Sequence, residues 1–189
     1  MSGEYFLTTD QAKKKKEILD SIDNNEYLFF CISADAGTGK TLLTYDIAKT
    51  YQECKKSVFV LHCATLNEGQ WELNKNYRWN IKCVSVLEAK DLNPVIKKPD
   101  LIVVDEAHRI RKHQLDSFVQ YVYDQKIATI FSYDTKQYFK DNEKKDIHEY
   151  LMALYPQNTS KIRKLTTKIR TNKKLASFIH NMMEFGSSK

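Results

Sequence analysis

The run Ser33-Ala-Asp-Ala-Gly-Thr-Gly-Lys-Thr41 constrains this chain more than any other segment. It joins an apolar stretch, Tyr27 to Ser33, to a stretch with helical spacing, Lys40 to Glu53. A glycine-rich turn that leaves a strand and opens a helix is the setting of a phosphate-binding loop. Gly37 and Gly39 can take backbone angles closed to other residues, so successive N–H groups can aim at phosphate oxygens. The helix N-terminus adds partial positive charge. Ala36, Gly37, Thr38 and Gly39 are then backbone donors, Lys40 reaches the β and γ phosphates, and Thr41 offers a hydroxyl to magnesium. The ligand this implies is ATP with Mg2+. Ala34 stands where the usual pattern begins with glycine, and Asp35 sets an acid near anionic phosphates, which requires its side chain to turn toward solvent. The Lys40 side chain is expected at the surface of the loop.

A second feature answers the first. Leu101-Ile-Val-Val-Asp-Glu-Ala-His-Arg109 is an apolar strand that ends in two carboxylates. In an open parallel sheet, ligands sit at the carboxyl ends of strands, so both acids point toward phosphates held by Lys40. Asp105 suits the coordination sphere of magnesium and Glu106 suits polarising an attacking water. His108, just past the strand, either joins this site or simply packs.

Strand-like and helix-like segments alternate along the chain, the pattern of a parallel sheet wrapped by helices. Strands are expected at Tyr27 to Ser33, Ser57 to Leu61, Ile81 to Val86, Leu101 to Val104 and Ala128 to Tyr133. Helical spacing joins Leu115, Phe118, Val119 and Val122, then Ile147, Tyr150, Leu151 and Leu154, and finally Leu175, Phe178, Ile179 and Met182. The fold class expected is α/β, a three-layer sandwich about a parallel central sheet. With 189 residues, no internal repeat and three scattered prolines, one domain over residues 1–189 is expected. No apolar run approaches the ~20 residues of a membrane helix, and no apolar stretch follows the N-terminal lysines as in a secretory signal. A cytoplasmic location is the expectation. Four cysteines at 31, 54, 63 and 83 form no CxxC pair, which points away from a zinc ribbon or a disulfide framework.

With both motifs in view, the chain resembles the first RecA-like lobe of a superfamily 1 type helicase, and among these the bacterial helicase-like domains related to the schlafen group. The resemblance runs from Leu7 to about Phe185. It implies a P-loop NTPase fold and hydrolysis of ATP coupled to movement on DNA or RNA. Leu7-Thr-Thr-Asp-Gln11, opening an N-terminal helical segment over 7–24, is similar to the family's adenine-reading segment, with Gln11 on the base edge. Ser132-Tyr-Asp-Thr-Lys-Gln137 resembles the coupling motif, in which Asp134 and Gln137 sense the γ phosphate. Leu165-Thr-Thr-Lys-Ile-Arg170 resembles the segment whose arginine touches that phosphate. The Asp-Glu-Ala-His quartet is better known from superfamily 2, yet Tyr133-Asp134 and Gln137 favour superfamily 1. A second RecA-like lobe is implied as a partner, and none follows Lys189, so the chain is expected to be part of a two-lobe enzyme.

Net charge is +6. Lys161 to Lys174 holds seven cations and no acid, and Lys13 to Lys16 is a second run. Either could neutralise nucleic-acid phosphates or be a solvated face. Trp71, Tyr77 and Trp79 offer base stacking or core filling with equal ease. Two other functions stay open: a nucleotide-dependent switch ATPase with a protein partner, and a P-loop phosphotransferase.

Overall fold

The computed structural model describes residues 7–35, 37–134 and 147–156, together with the backbone of 162–165. Helix α1, Thr9–Asp23, is started by a reciprocal cap: Gln11 N–H donates to Thr8 Oγ1 at 3.2 Å and Thr8 N–H to Gln11 Oε1 at 2.9 Å. Strand β1, Phe29–Ala34, leads through the phosphate loop into α2, Lys40–Glu53. There follow β2 (Val58–His62), α3 (Glu68–Asn76), β3 (Ile81–Cys83), the short α4 (Asn93–Ile96), β4 (Leu101–Asp105), α5 (Lys112–Gln125), β5 (Ala128–Asp134), α6 (Ile147–Leu154) and β6 (Ile162–Leu165).

The six strands form one sheet in the order β3-β2-β4-β5-β1-β6, with every neighbouring pair parallel. Both faces are covered, which is why the strands read as near-continuous apolar runs. Successive side chains of β1 take opposite faces: Phe30 and Ile32 join Ile18, Leu43 and Ile47 of α1 and α2, while Phe29 and Cys31 join Leu115, Phe118 and Leu151 of α5 and α6. This is the expected three-layer α/β sandwich. Among the described residues, no helix is long and apolar enough to cross a membrane.

Two elements differ from the sequence expectation. The strand expected over Ile81 to Val86 stops at Cys83, and Val84–Glu88 coil into a 3-10 turn. Among the described residues β3 pairs only with β2, so none of them holds its end extended from the other side, and Val84 and Val86 pack against the α5 face instead. Strand β6 was not expected at all. Its apolar residues, Ile162 and Leu165, lie three apart with Arg163 and Lys164 between them, which breaks the two-residue period of a strand. It is nevertheless paired along β1 from Cys31↔Ile162 to Ala34↔Leu165.

Phe118 anchors the α5 layer, fully buried and edge-on to Phe131 with ring centroids 6.3 Å apart. Phe118→Ala is expected to cost about 3–5 kcal/mol from lost burial and the cavity left behind. Urea unfolding followed by far-UV circular dichroism should show a lower midpoint at unchanged slope.

Candidate functional site

The sheet order decides what meets at its carboxyl edge. Strand β5 lies between β1, which feeds the phosphate loop, and β4, which carries the acids. The ends of three strands and the first turn of α2 therefore converge.

In the loop, Gly37 and Gly39 both have left-handed backbones, φ 76° and 79°, a region that a Cβ penalises. Gly39 is the N-cap of α2 and offers no side-chain acceptor, so the first-turn N–H groups are not consumed by a capping side chain. Thr38 Oγ1 donates to the Asp35 carbonyl at 2.9 Å. Lys40 is not at the surface as expected: it is only 9% exposed, and its ammonium donates to the carbonyls of Ala34 at 2.9 Å and Asp35 at 3.0 Å. The loop curls around this cation, which draws it inward. Burial lowers the Lys40 pKa, and the charges of Asp134, Glu106, Asp105 and Asp35 oppose that shift. An arriving triphosphate offers the same ammonium anionic acceptors, which are stronger than neutral carbonyls.

Asp105 ends β4 and is buried. Thr41 Oγ1 of α2 donates to it at 3.1 and 3.2 Å, Ser132 Oγ of β5 at 2.6 Å, and His62 Nδ1 of β2 lies 3.2 Å away. Burial alone would raise its pKa, but the hydrogen bonds from His62, Ser132 and Thr41 outweigh burial and hold it below the usual carboxylate range. The group is therefore a pre-formed anion. A threonine hydroxyl beside an ionised carboxylate is a hard-oxygen donor pair, the kind magnesium selects. His62 and Ser132 were not among the residues expected here, and each reaches Asp105 only through strand order. His62 stands opposite Asp105 in the β2–β4 register, and Ser132 lies on the inserted strand.

Glu106 follows with φ 59° and ψ 37°, a left-handed conformation at a residue with a Cβ, costing about 1–2 kcal/mol. This bend takes its side chain out of the strand line. Its Oε2 accepts from Arg109 Nε at 3.0 Å and lies 3.6 Å from His108 Nε2. His108 does more than fill space: it is buried, and its Nδ1 accepts the Asp134 N–H at 3.4 Å. That bond assigns the proton to Nε2, facing Glu106. Burial lowers the His108 pKa, Glu106 and Asp134 resist, and Arg109 and Lys40 add to the lowering. The imidazole thus stands between the acid after β4 and the end of β5, hydrogen-bonded to the latter.

Gln11 lies against the loop, 1% exposed, with Nε2 donating to the carbonyls of Thr38 at 3.3 Å and Gly39 at 3.4 Å. Its Oε1 is already used by Thr8, so contact with a base edge requires exchange of one of these bonds. Ala36, Gln137 and Arg170 lie outside the described residues, as do the expected last helix and the side chains of Lys161 to Lys174. Of the three aromatic residues, Trp79 is core, stacked on Tyr45 at 5.4 Å, Tyr77 is half-buried, and Trp71 on α3 is 61% exposed. In the Lys13 to Lys16 run, Lys14 pairs with Asp10, and Lys15 with Asp46 at 2.6 Å.

Residues 28–189 match the family described as Schlafen group 3, DNA/RNA helicase domain. No curated protein matches. Among solved structures, the chain resembles the Pif1 helicase from Candida albicans at 14% identity and TM-score 0.58, covering 92% of this chain and 42% of that one. A Bacteroides Pif1 bound to ssDNA matches at 13% identity and TM-score 0.54, over 97% of this chain and 47% of that one. AMPPCP-bound DnaA from Aquifex aeolicus matches at 14% identity and TM-score 0.53, over 88% of this chain and 50% of that one. These likenesses show the fold, and the chain spans half or less of each structure's length.

Proposed function

Because the chain belongs to the Schlafen group 3 DNA/RNA helicase domain family, we propose that it is the ATP-hydrolysing motor lobe of a helicase or nucleic-acid translocase. The observation that carries this is the convergence of Thr41, His62 and Ser132 on the buried Asp105 carboxylate at the mouth of a left-handed glycine loop. The backbone of Ala36, Gly37, Thr38 and Gly39 holds the phosphates and Lys40 neutralises the β and γ oxygens. Thr41 and Asp105 would hold magnesium, which would supply charge neutralisation to the transferring phosphoryl group. Glu106 orients and polarises the water that attacks the γ phosphorus. The bond to the leaving ADP oxygen breaks, and the products are ADP and inorganic phosphate.

The remaining roles follow from resemblance and from position. Gln11 lies beside the loop where an adenine reader would be useful. Asp134 and Gln137 sense the γ phosphate, with His108 carrying that state between β5 and Glu106, and Arg170 touches the same phosphate. A second RecA-like lobe closes over the nucleotide, and DNA or RNA is the track. The enzyme works in the cytoplasm.

Phosphate release by the chain is expected to rise on adding single-stranded DNA or RNA. Lys40→Ala is expected to weaken Mg-ATP binding by about 10- to 10²-fold, the worth of hydrogen bonds to a charged partner. Because Lys40 also holds two loop carbonyls, a thermal melt accompanies the calorimetric titration. Unchanged Mg-ATP affinity in the variant would remove the loop from the mechanism. Turnover indifferent to both nucleic acids would favour a switch ATPase, and labelled product other than free phosphate a phosphotransferase.

A further inference from the structure

The end of the domain remote from the phosphate loop has its own charge pattern. The loop opens α2, and the 14 residues of that helix carry the chain about 21 Å to the opposite edge of the sheet. There, where β2 and β4 begin, lies a cleft of about 680 Å³ lined from three separate segments: Gln52 with Lys55 to Val58, then Tyr77, Arg78 and Asn80, and then Ile96, Lys97 and Pro99. Lys55, Lys56, Arg78 and Lys97 line it, all exposed, and no carboxylate does. Asp100, the acid just before β4, is turned to Ser57, accepting from its N–H at 2.6 Å and its hydroxyl at 2.7 Å. These bonds hold the Asp100 pKa below its ordinary value. Lys56 is partly engaged, 3.5 Å from Asp23 and over the Tyr51 ring. Among the described residues, no ion pair involves Lys55, Arg78 or Lys97.

A cation after a helix can simply complement the negative C-terminal end. Here the carbonyls are already closed by backbone. Lys55 N–H donates to Gln52 at 2.9 Å, Lys56 N–H to Tyr51 at 3.0 Å, Tyr77 N–H to Leu73 at 3.0 Å and Lys97 N–H to Asn93 at 2.9 Å. The geometry also favours glycine. Lys55, Arg78 and Lys97 have φ of 59°, 57° and 58°, a left-handed region that a Cβ penalises and glycine does not. Three long cations thus stand at the rim of one carboxylate-free cleft, at backbone positions that do not favour them.

We infer that this cleft is a second anion site, which takes backbone phosphates of a nucleic-acid strand on the pole opposite ATP. The inference rests on the helicase reading for the identity of the polyanion. The cations come from three segments and span the opening, which suits a chain of spaced phosphates better than one compact anion. The half-buried Tyr77 and the Gln52 and Asn80 amides add contacts without base choice.

The test compares the parent with a Lys55→Glu, Arg78→Glu, Lys97→Glu variant by fluorescence anisotropy with labelled single-stranded DNA and RNA of unrelated sequences. Titrations at several salt concentrations between about 50 and about 200 mM give the slope of log affinity against log salt. Affinity should fall at least about tenfold for all sequences alike, and the slope should shrink by roughly 2, about 0.7 for each of three lost phosphate contacts. Mg-ATP affinity and the thermal midpoint should match the parent. The corresponding alanine set, with a smaller loss in the same direction, covers the case in which added acids disturb folding. Parent-like affinity and slope in the folded variants would overturn the inference. If a Lys161→Glu, Lys164→Glu, Lys168→Glu variant alone lost binding, the inference would fall while the motor function stood. No nucleic-acid binding by a parent that binds Mg-ATP would sink both.

Discussion

Glu106→Gln is expected to bind Mg-ATP as tightly as the parent and to hydrolyse it at about one hundredth of the parent rate or less. The substitution keeps size and an acceptor oxygen, so the bond from Arg109 Nε at 3.0 Å can persist. It removes the negative charge that polarises water. Glutamine is also no worse than glutamate at φ 59°, so the bend after β4 survives. Glu106 takes no part in the hydrogen bonds around Asp105, and affinity should therefore be insulated from the change. Rapid-quench single-turnover hydrolysis, set beside calorimetric affinity, separates the two. Equal turnover by variant and parent would show that another group handles the water.

The second large effect concerns what completes the site. The chain by itself should bind ATP but turn it over slowly, and a second RecA-like lobe supplied in trans should raise the rate by about 10³- to 10⁵-fold. Among the described residues, Arg109 is the guanidinium beside the acids, and it is bonded to Glu106, where it orients the carboxylate rather than a phosphate. Charge developing on the γ phosphoryl oxygens would otherwise face Lys40, the loop N–H groups and the proposed magnesium, with no guanidinium among the described residues free to join them. Arg170 can supply part of the missing charge, which leaves a small basal rate. Single-turnover measurements on the chain alone, with excess nucleic acid, and with the second lobe decide the matter. A rate of order ten per second from the chain alone, ordinary for an enzyme, would mean that the site is already complete.

The parts of the site legible in the sequence are those encoded locally. Gly37, Gly39, Lys40 and Thr41 stand in one turn, and their geometry follows from residue type and from the strand and helix that flank them. Asp105 and Glu106 were legible because an apolar run ending in acids marks a strand end in a wrapped sheet. His62 and Ser132 were not, because their contact with Asp105 depends on β2 and β5 flanking β4, which residue spacing does not encode. The burial of Lys40 escaped for a related reason: nothing in a motif says that a lysine will satisfy carbonyls of its own loop. Strand β6 was hidden by charge, since Arg163 and Lys164 between two apolar residues read as a basic surface until pairing with β1 is seen.

The two neighbouring acids differ in how cleanly a genetic experiment can use them. The Asp105 carboxylate ties α2, β2 and β5 together through Thr41, His62 and Ser132, so removing it leaves the buried Ser132 hydroxyl without its acceptor, at about 1–3 kcal/mol, and strips the same partner from the partly buried Thr41 and His62. A cell carrying Asp105→Ala would therefore hold less of the protein as well as a disabled one, because a loss of that size feeds unfolded chains to proteases. A null phenotype from that allele would confound dosage with chemistry. The Glu106 side chain, partly exposed beside a surface arginine, carries no such burden. Glu106→Gln is accordingly the allele for asking what the proposed ATP hydrolysis does in the cell, with abundance expected to stay at the wild-type level.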